Sequence, residues 1–127
     1  MPVDYEVMIE PEDLDYHGNC MASGDEAMDR EVEEWIKTEL ARGNECAWCS
    51  VTVKAIFEDY EGYDSLGGCS YSSRADLEKD LIPEMKRNAL AALRVELHRV
   101  QTEVPKNARK AARAAKAALA RLNAEEK

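Results

Sequence analysis

The sequence predicts an α+β fold over residues 1–104, with its elements in the order β-α-β-β-α, followed by a basic helical tail over residues 105–127. Two stretches alternate apolar and polar residues, as half-buried strands do. Two others repeat apolar residues every three or four positions, as amphipathic helices do. We expect a small three-stranded sheet, antiparallel or mixed, with the helices packed on one face, because each helix must bury its apolar stripe.

The first strand is predicted over residues 3–9, where one face collects the apolar side chains Val3, Tyr5, Val7 and Ile9. Pro11 ends this strand, and residues 11–24 are expected to form a loop because they contain several turn-forming residues.

The first helix is predicted to begin near Asp25, because Ser23 and Glu26 have the spacing of a capping box. Gly43-Asn44 supplies a C-terminal stop. The apolar residues between these signals predict a stripe that is buried against the sheet: Met28, Val32, Trp35, Ile36 and Leu40.

A long second strand is predicted over residues 46–60, with one apolar face formed by Ala47, Cys49, Val51, Val53, Ala55 and Phe57. Glu61-Gly62 is expected to turn the chain into a return strand over residues 63–72. Gly67-Gly68 in that strand predicts either a β-bulge or a close contact with another part of the chain.

Pro83 fits the first turn of a helix but not its interior. We therefore predict a short helical turn over residues 74–81 and a separate helix over residues 82–104, whose buried stripe is Met85, Ala89, Leu93, Leu97, Val100 and Val104. Pro105 stops or kinks that helix, and the following Ala-, Lys- and Arg-rich residues favour another helix. The chain thus divides into an acidic α+β domain, residues 1–104, and a basic tail, residues 105–127.

The charges are sharply partitioned along the chain. Residues 1–62 contain 17 acids and four bases, whereas residues 105–124 contain six bases and no acid. This pattern is more typical of an interaction protein than of a catalyst. The formal net charge of −9 disfavours non-specific binding of the domain to nucleic acid or anionic lipid.

The chain also lacks the signals of export and membrane insertion. No apolar run reaches the ~18 to 20 residues that span a bilayer, and the first residues do not form a secretory signal. We therefore expect a cytoplasmic protein that does not bind membranes and whose four cysteines are reduced thiols.

Two pairs of residues have spacings that can surround a zinc ion, His17-x-x-Cys20 and Cys46-x-x-Cys49. Cys46 and Cys49 fall in the predicted second strand, where residues three apart point to opposite faces. We therefore expect no metal and no cofactor. A thioredoxin-like dithiol is also rejected, because that motif opens a helix rather than a strand.

Catalysis has little support in the sequence, because no nucleophile, base and orienting group can be assembled from it. His17 lies in a loop, and His98 lies off the apolar stripe of the long helix. Asp59, Glu61 and Asp64 crowd the predicted hairpin turn, where carboxylates are ordinarily solvated. We predict that the protein is not an enzyme.

The acidic side of the first helix is the leading candidate for partner binding, through Asp25, Glu26, Asp29, Glu33 and Glu34. Carboxylates on neighbouring helical turns are ~5 to 6 Å apart, which is comparable to the spacing of phosphates along a nucleic-acid strand. Such a surface can occupy a basic groove that binds DNA or RNA. The alternative is a solvated face that keeps the protein soluble.

The tail is the second candidate, through Arg109, Lys110, Arg113 and Lys116. A basic arm binds phosphates by releasing their counterions. Two other interpretations remain open. The arm can dock on the acidic helix of its own or a neighbouring chain, or it is a solvent-exposed extension that frays, because isolated helices under ~15 residues are marginal.

Two segments resemble small uncharacterised proteins encoded by bacteriophages and prophages. They are G-N-E-C-A-W-C at residues 43–49 and L-G-G-C-S-Y at residues 66–71, within a similarity that spans residues 3–95. The resemblance implies a mobile-element origin and therefore action in the cytoplasm of the host cell, but it brings no activity and no site residues to this chain. Small acidic phage proteins often inhibit host defence, anti-CRISPR proteins among them, and that analogy suggests an anti-defence role.

The leading hypothesis is a phage-derived, non-enzymatic inhibitor whose acidic helix and preceding acidic loop occupy a nucleic-acid site on a host or phage protein with a basic surface. The alternative is a nucleic-acid-binding accessory protein that acts through the basic tail. A third possibility is a small structural or assembly protein without a ligand.

Overall fold

The computed structural model describes residues 2–20, 24–103 and 109–125. Its elements, in chain order, are β1 Asp4–Pro11, α1 Glu26–Ala41, a 3-10 turn Glu45–Ala47, β2 Cys49–Phe57, β3 Tyr60–Cys69, α2 Arg74–Glu103 and α3 Arg109–Glu125. The three strands form one antiparallel sheet in the order β1-β2-β3. The predicted α+β class, the order of the elements and the C-terminal helix are confirmed.

The β2–β3 hairpin is shorter than predicted and turns earlier. β2 begins at Cys49 because the chain first makes the 3-10 turn Glu45–Ala47. The Asn44 side chain starts that turn by accepting a hydrogen bond from the backbone N–H of Cys46 at 3.2 Å. The hairpin turn lies at residues 58–59 rather than at Glu61-Gly62. Glu58 has a positive φ of 57°, and tight two-residue hairpin turns require a residue with positive φ.

Gly62 lies inside β3, at the place where α2 packs on the strand. A Cβ at this position would collide with the backbone of Leu93 and with the carbonyl oxygen of Ala89. Glycine therefore allows the helix backbone to approach the strand closely. The predicted stripe of α2 is buried at Met85, Ala89, Leu93 and Leu97. Val100 is half-buried, and Val104 lies outside the described residues.

α2 is one continuous helix, so the predicted break before residue 82 is wrong. Pro83 lies inside α2 and is exposed, although proline has no N–H to donate to the preceding turn. Ile82 and Met85 on either side of it are buried. Tertiary burial of the flanking residues stabilises the helix against the loss of that hydrogen bond.

Contacts within the chain define two compact units, one formed by Met1–Glu6, Val53–Asp64 and Glu84–Lys127, and the other by Val7–Thr52 and Ser65–Pro83. The core of the first unit includes Val53, Ala55, Phe57, Leu93, Leu97, Ala115, Ala118, Leu119 and Leu122. The core of the second includes Ile36, Cys46, Ala47, Trp48, Cys49, Val51, Cys69, Leu77 and Ile82. The predicted boundary between residues 104 and 105 lies outside the described residues and stays a prediction.

In the second unit, the loop after β1 is fastened to Trp48 and to the glycine pair of β3. Trp48 is buried, and its Nε1–H donates to the carbonyl oxygen of Leu14 at 2.6 Å. The backbone N–H of Gly68 donates to the Glu12 carboxylate at 2.8 Å, and a side chain at Gly67 would meet that carboxylate. Gly67-Gly68 is therefore a contact site, with Gly68 in a left-handed conformation of φ 64°.

Candidate functional site

The first turn of α1 is organised by Asp25. Its carboxylate accepts hydrogen bonds from the backbone N–H groups of Ala27 and Met28, at 3.0 and 3.2 Å. Asp25 is thus the N-cap, a position that the capping-box pattern assigned to Ser23, which lies outside the described residues. A carboxylate at this place also suits the positive end of the helix dipole. Asp25 therefore has a structural role within the predicted binding surface.

Glu33 fastens the loop before α1 to the helix. Its two carboxylate oxygens accept hydrogen bonds from the backbone N–H of Gly18 and from Nδ1–H of His17, both at 2.9 Å. These bonds hold the pKa of Glu33 below its usual value, and the same carboxylate raises the pKa of His17. A shallow cavity of about 240 Å³ lies here, lined by His17, Glu26, Asp29, Arg30 and Glu33.

The apolar stripe of α1 is buried over a narrower arc than predicted. Ile36 is fully buried, but Trp35 is 39% exposed and Met28 is 47% exposed, so the prediction that Trp35 is a core residue is wrong. Met28 and Trp35 are seven residues apart and lie on one flank of the helix, because two helical turns separate them. The carboxylates Glu31 and Glu34 beside them are exposed.

The five predicted binding residues of α1 therefore differ in their availability. Glu34 is exposed and makes no hydrogen bond or ion pair within the described part of the chain. Glu26 is exposed at the cavity, and Asp29 is half-buried there. Asp25 and Glu33 bind backbone N–H groups of their own chain. The flank formed by Met28, Glu31, Glu34 and Trp35, here called the α1 flank, was missed because periodicity assigned its apolar members to the core.

α3 is docked within the first unit through its alanine and leucine stripe, Ala115, Ala118, Leu119 and Leu122, all of which are buried. Arg121 donates from Nε and Nη2 to the two carboxylate oxygens of Glu58, at 2.5 and 2.6 Å. Arg94 Nε of α2 donates to the side-chain oxygen of Asn123 at 3.2 Å. The interpretation of residues 109–125 as a fraying extension is wrong, and Arg121 of this helix pairs with Glu58 of the hairpin turn.

The predicted nucleic-acid residues Arg109, Lys110, Arg113 and Lys116 are all exposed. They lie on the side of α3 opposite its buried stripe, because residues 109, 113 and 116 recur at helical spacing. None of the four is bonded to another group in the ranges that the structure describes. They form a continuous basic face, here called the α3 basic face.

Two carboxylates near the hairpin turn, Glu61 and Asp64, have structural partners. The Tyr63 hydroxyl donates to Glu61 at 2.5 Å, and Asn88 Nδ2 donates to Asp64 at 3.1 Å. Lys54 Nζ also lies 3.7 Å from Glu61. These side chains do not form a nucleophile, a base and an orienting group in one place, which is the arrangement that catalysis requires.

The geometric reason for rejecting a zinc site was wrong, because Cys46 and Cys49 do not lie in one strand. Cys46 is in the 3-10 turn and Cys49 is the first residue of β2. Among the described residues, no group of three or more His, Cys, Asp or Glu side chains has an arrangement that could hold a metal ion.

Across the part of the chain that the structure describes, no helix combines the length and apolarity needed to cross a membrane. No family model, curated protein or solved structure matches this chain.

Proposed function

We propose that this protein is a non-enzymatic inhibitor that binds another protein through the α1 flank. The observation that carries the proposal is the exposure of Trp35 and Met28 beside two exposed carboxylates, Glu31 and Glu34. Tryptophan is enriched among the residues that dominate binding energy in interfaces. A large apolar group with carboxylates on one side of it is suited to a partner pocket with an apolar centre and a basic edge.

The partner class follows from charge. Residues 1–62 have a strong excess of acids, so long-range attraction favours a partner with a basic surface. Basic surfaces commonly serve to bind nucleic acid, and carboxylates on successive helical turns can replace phosphates in such a site. Together with the resemblance to phage proteins, this favours a nucleic-acid-binding protein of the host cytoplasm as the target and an anti-defence role for the inhibitor.

The experiment compares three forms of the full chain: wild type, a variant with Glu31→Gln, Glu34→Gln and Trp35→Ala, and a matched control with the exposed acids Glu10 and Glu84 changed to Gln. Each tagged protein is incubated with nuclease-treated host lysate. Wild type and control should retain a common protein that the α1 variant loses. That protein, once purified, should bind DNA or RNA and release it when wild type is added. Equal retention by all three forms, or a captured protein without nucleic-acid affinity, would contradict the proposal.

The α3 basic face favours a second candidate function, binding of nucleic acid. Its four bases are exposed on a helix that is already docked, so binding does not require the tail to become ordered. With four phosphate contacts on duplex DNA, a plot of log affinity against log salt concentration should have a slope of about −3.6.

Truncation of α3 cannot test this second function, because it would remove Leu119 and Leu122 from the core. Replacing Arg109, Lys110, Arg113 and Lys116 by Gln leaves the buried stripe intact. A control with the exposed bases Arg30, Lys37, Lys79 and Arg87 changed to Gln removes the same number of positive charges elsewhere. A gel-shift assay at two salt concentrations should show binding by wild type and control, and its loss in the α3 variant. Binding that is equal in all three forms, or absent from wild type, would exclude the α3 basic face.

A further inference from the structure

We infer that the protein associates with a second copy of itself, with the α1 flank of one copy packed against the α3 basic face of the other. Both surfaces are exposed, so the described part of their own chain does not bury them. The inference rests on the surfaces of the proposed functions and adds regulation to them, because a flank that contacts another copy is not available to a target.

The two surfaces have opposite charges that are unused within the chain. Glu31 and Glu34 of the α1 flank form no hydrogen bond or ion pair in the described structure. The same is true there of the four bases of the α3 basic face. Pairing between copies therefore adds ion pairs without breaking any bond that these side chains already make.

The charged groups also match in spacing. Glu31 and Glu34 are three residues apart, as are Arg113 and Lys116. With a rise of about 1.5 Å per residue, each pair spans ~4.5 Å along its helix. Two carboxylates of one copy can therefore face two bases of the other at the same time, whether the helices run parallel or antiparallel.

Alanines on α3 provide room for the apolar side chains of the α1 flank. Ala117 and Ala120 are exposed and follow Lys116 on the same side of α3. Small side chains allow two helix axes to approach closely, so Trp35 or Met28 can pack on these alanines between the long stems of the bases. A base above the Trp35 ring would add a cation–π contact.

The distribution of charge favours this orientation over others. At a formal net charge of −9, two copies repel each other on average. Residues 105–124, however, contain six bases and no acid, whereas residues 1–62 contain 17 acids and four bases. Attraction is therefore strongest where the α3 basic face of one copy meets the acidic α1 flank of another.

The test measures mass by sedimentation equilibrium on purified full-length protein freed of nucleic acid, from micromolar to millimolar concentration. A contact between single helices is small beside the ~1,200–2,000 Å² that stable interfaces bury. The weight-average mass of wild type should therefore rise above the 14.3 kDa of one chain only at high concentration. Two variants should each stay at the mass of one chain: the α1 variant, with Glu31→Gln, Glu34→Gln and Trp35→Ala, and the α3 variant, with Arg109, Lys110, Arg113 and Lys116 changed to Gln. The control with Glu10→Gln and Glu84→Gln should associate as wild type does.

A mixture of the two variants identifies the contact. Each variant keeps the surface that the other lacks, so an equimolar mixture should form a dimer with twice the mass of one chain and no larger species. Wild type carries both surfaces and can extend further, as heterologous contacts do.

Three results would overturn the inference: a wild type that stays at the mass of one chain, variants that associate as wild type does, or a mixture that stays monomeric. A monomeric wild type decides this even if a variant fails to fold. The assay contains no target and no nucleic acid, so its outcome is separate from those of the lysate and gel-shift experiments.

Discussion

α1 and α3 are both amphipathic helices, but they bury their apolar sides to very different extents. α1 carries the larger apolar residues, yet Ile36 is its one fully buried side chain and Trp35 is 39% exposed. α3 carries mainly alanine, yet it buries Ala115, Ala118, Leu119 and Leu122. Helical periodicity therefore predicts which side of a helix is apolar, whereas the size of the side chains and the surface opposite decide how deeply that side is buried.

The groups that the two helices leave exposed also suit different ligands. The apolar side of α3 is used within its own unit, so only its basic residues are available to a ligand. α1 keeps both apolar and acidic groups at its surface. A protein partner, which needs an apolar centre, therefore suits α1, and a phosphate backbone, which needs only charge, suits α3.

The largest loss of stability is expected from Leu122→Ala in α3. Leu122 is fully buried, and removing a buried leucine side chain costs about 2–5 kcal/mol, depending on how far the cavity collapses. Chemical denaturation should show a lower midpoint for this variant, while the control Ala120→Gln, at an exposed position of the same helix, should match wild type. An unchanged midpoint for Leu122→Ala would mean that α3 is not part of the core.

A smaller effect is expected from Met28→Ala in α1. Met28 is 47% exposed, and alanine has the highest helix propensity, so we expect a loss of less than about 1 kcal/mol in the free energy of unfolding. The same denaturation assay makes this a direct comparison with Leu122→Ala. Equal losses in the two helices would show that the flank of α1 is core and would remove the basis for its role in binding.

Much of the fold was predictable because its signals are local. Alternation located β1, and Gly43 ended α1 with a left-handed φ of 93°. Leu93 was correctly predicted to be buried, since it lies in the middle of a long apolar stripe. The break in α2 was predicted wrongly because proline is a local signal against a helix, whereas burial on both sides of Pro83 is a tertiary effect.

The candidate site was less predictable, since its members are set by contacts between distant residues. The pairing of Arg121 with Glu58 joins residues 63 apart in sequence, and no spacing rule indicates such a pair. Nothing in the sequence distinguishes Glu33 from the other acids of α1, yet its carboxylate accepts hydrogen bonds from His17 and from the backbone N–H of Gly18. The exposure of Trp35 also had no sequence signal, because an apolar residue on a helical stripe predicts burial.

The docking of α3 should weaken in acid through Glu58. Its hydrogen bonds from Arg121 lower the pKa of Glu58, so the stabilisation is present above the ordinary glutamate pKa of ~4.3 and is lost as pH falls through the lower folded value. The difference in melting temperature between wild type and Glu58→Gln should shrink on acidification through this range. When Arg121 is also changed to Gln, the difference in melting temperature that Glu58→Gln causes should depend less on pH. A constant difference in the arginine-containing protein would contradict this assignment.

The smallest expected change in stability concerns the loop before α1, which Glu33 attaches to the helix. Its hydrogen bond and charge raise the pKa of His17, so this contribution is present below the ordinary histidine pKa of ~6.5 and is lost as pH rises through the higher folded value. Titration of the His17 ring protons by NMR should give a pKa above the ordinary value in wild type and a lower one in Glu33→Gln. The amide oxygen of that variant can still accept from Gly18 N–H, so the loop keeps one of its two attachments while the charge is removed. If the pKa of His17 is the same in both proteins, Glu33 does not hold the loop through His17, and the bond from Gly18 N–H would be its attachment to the loop.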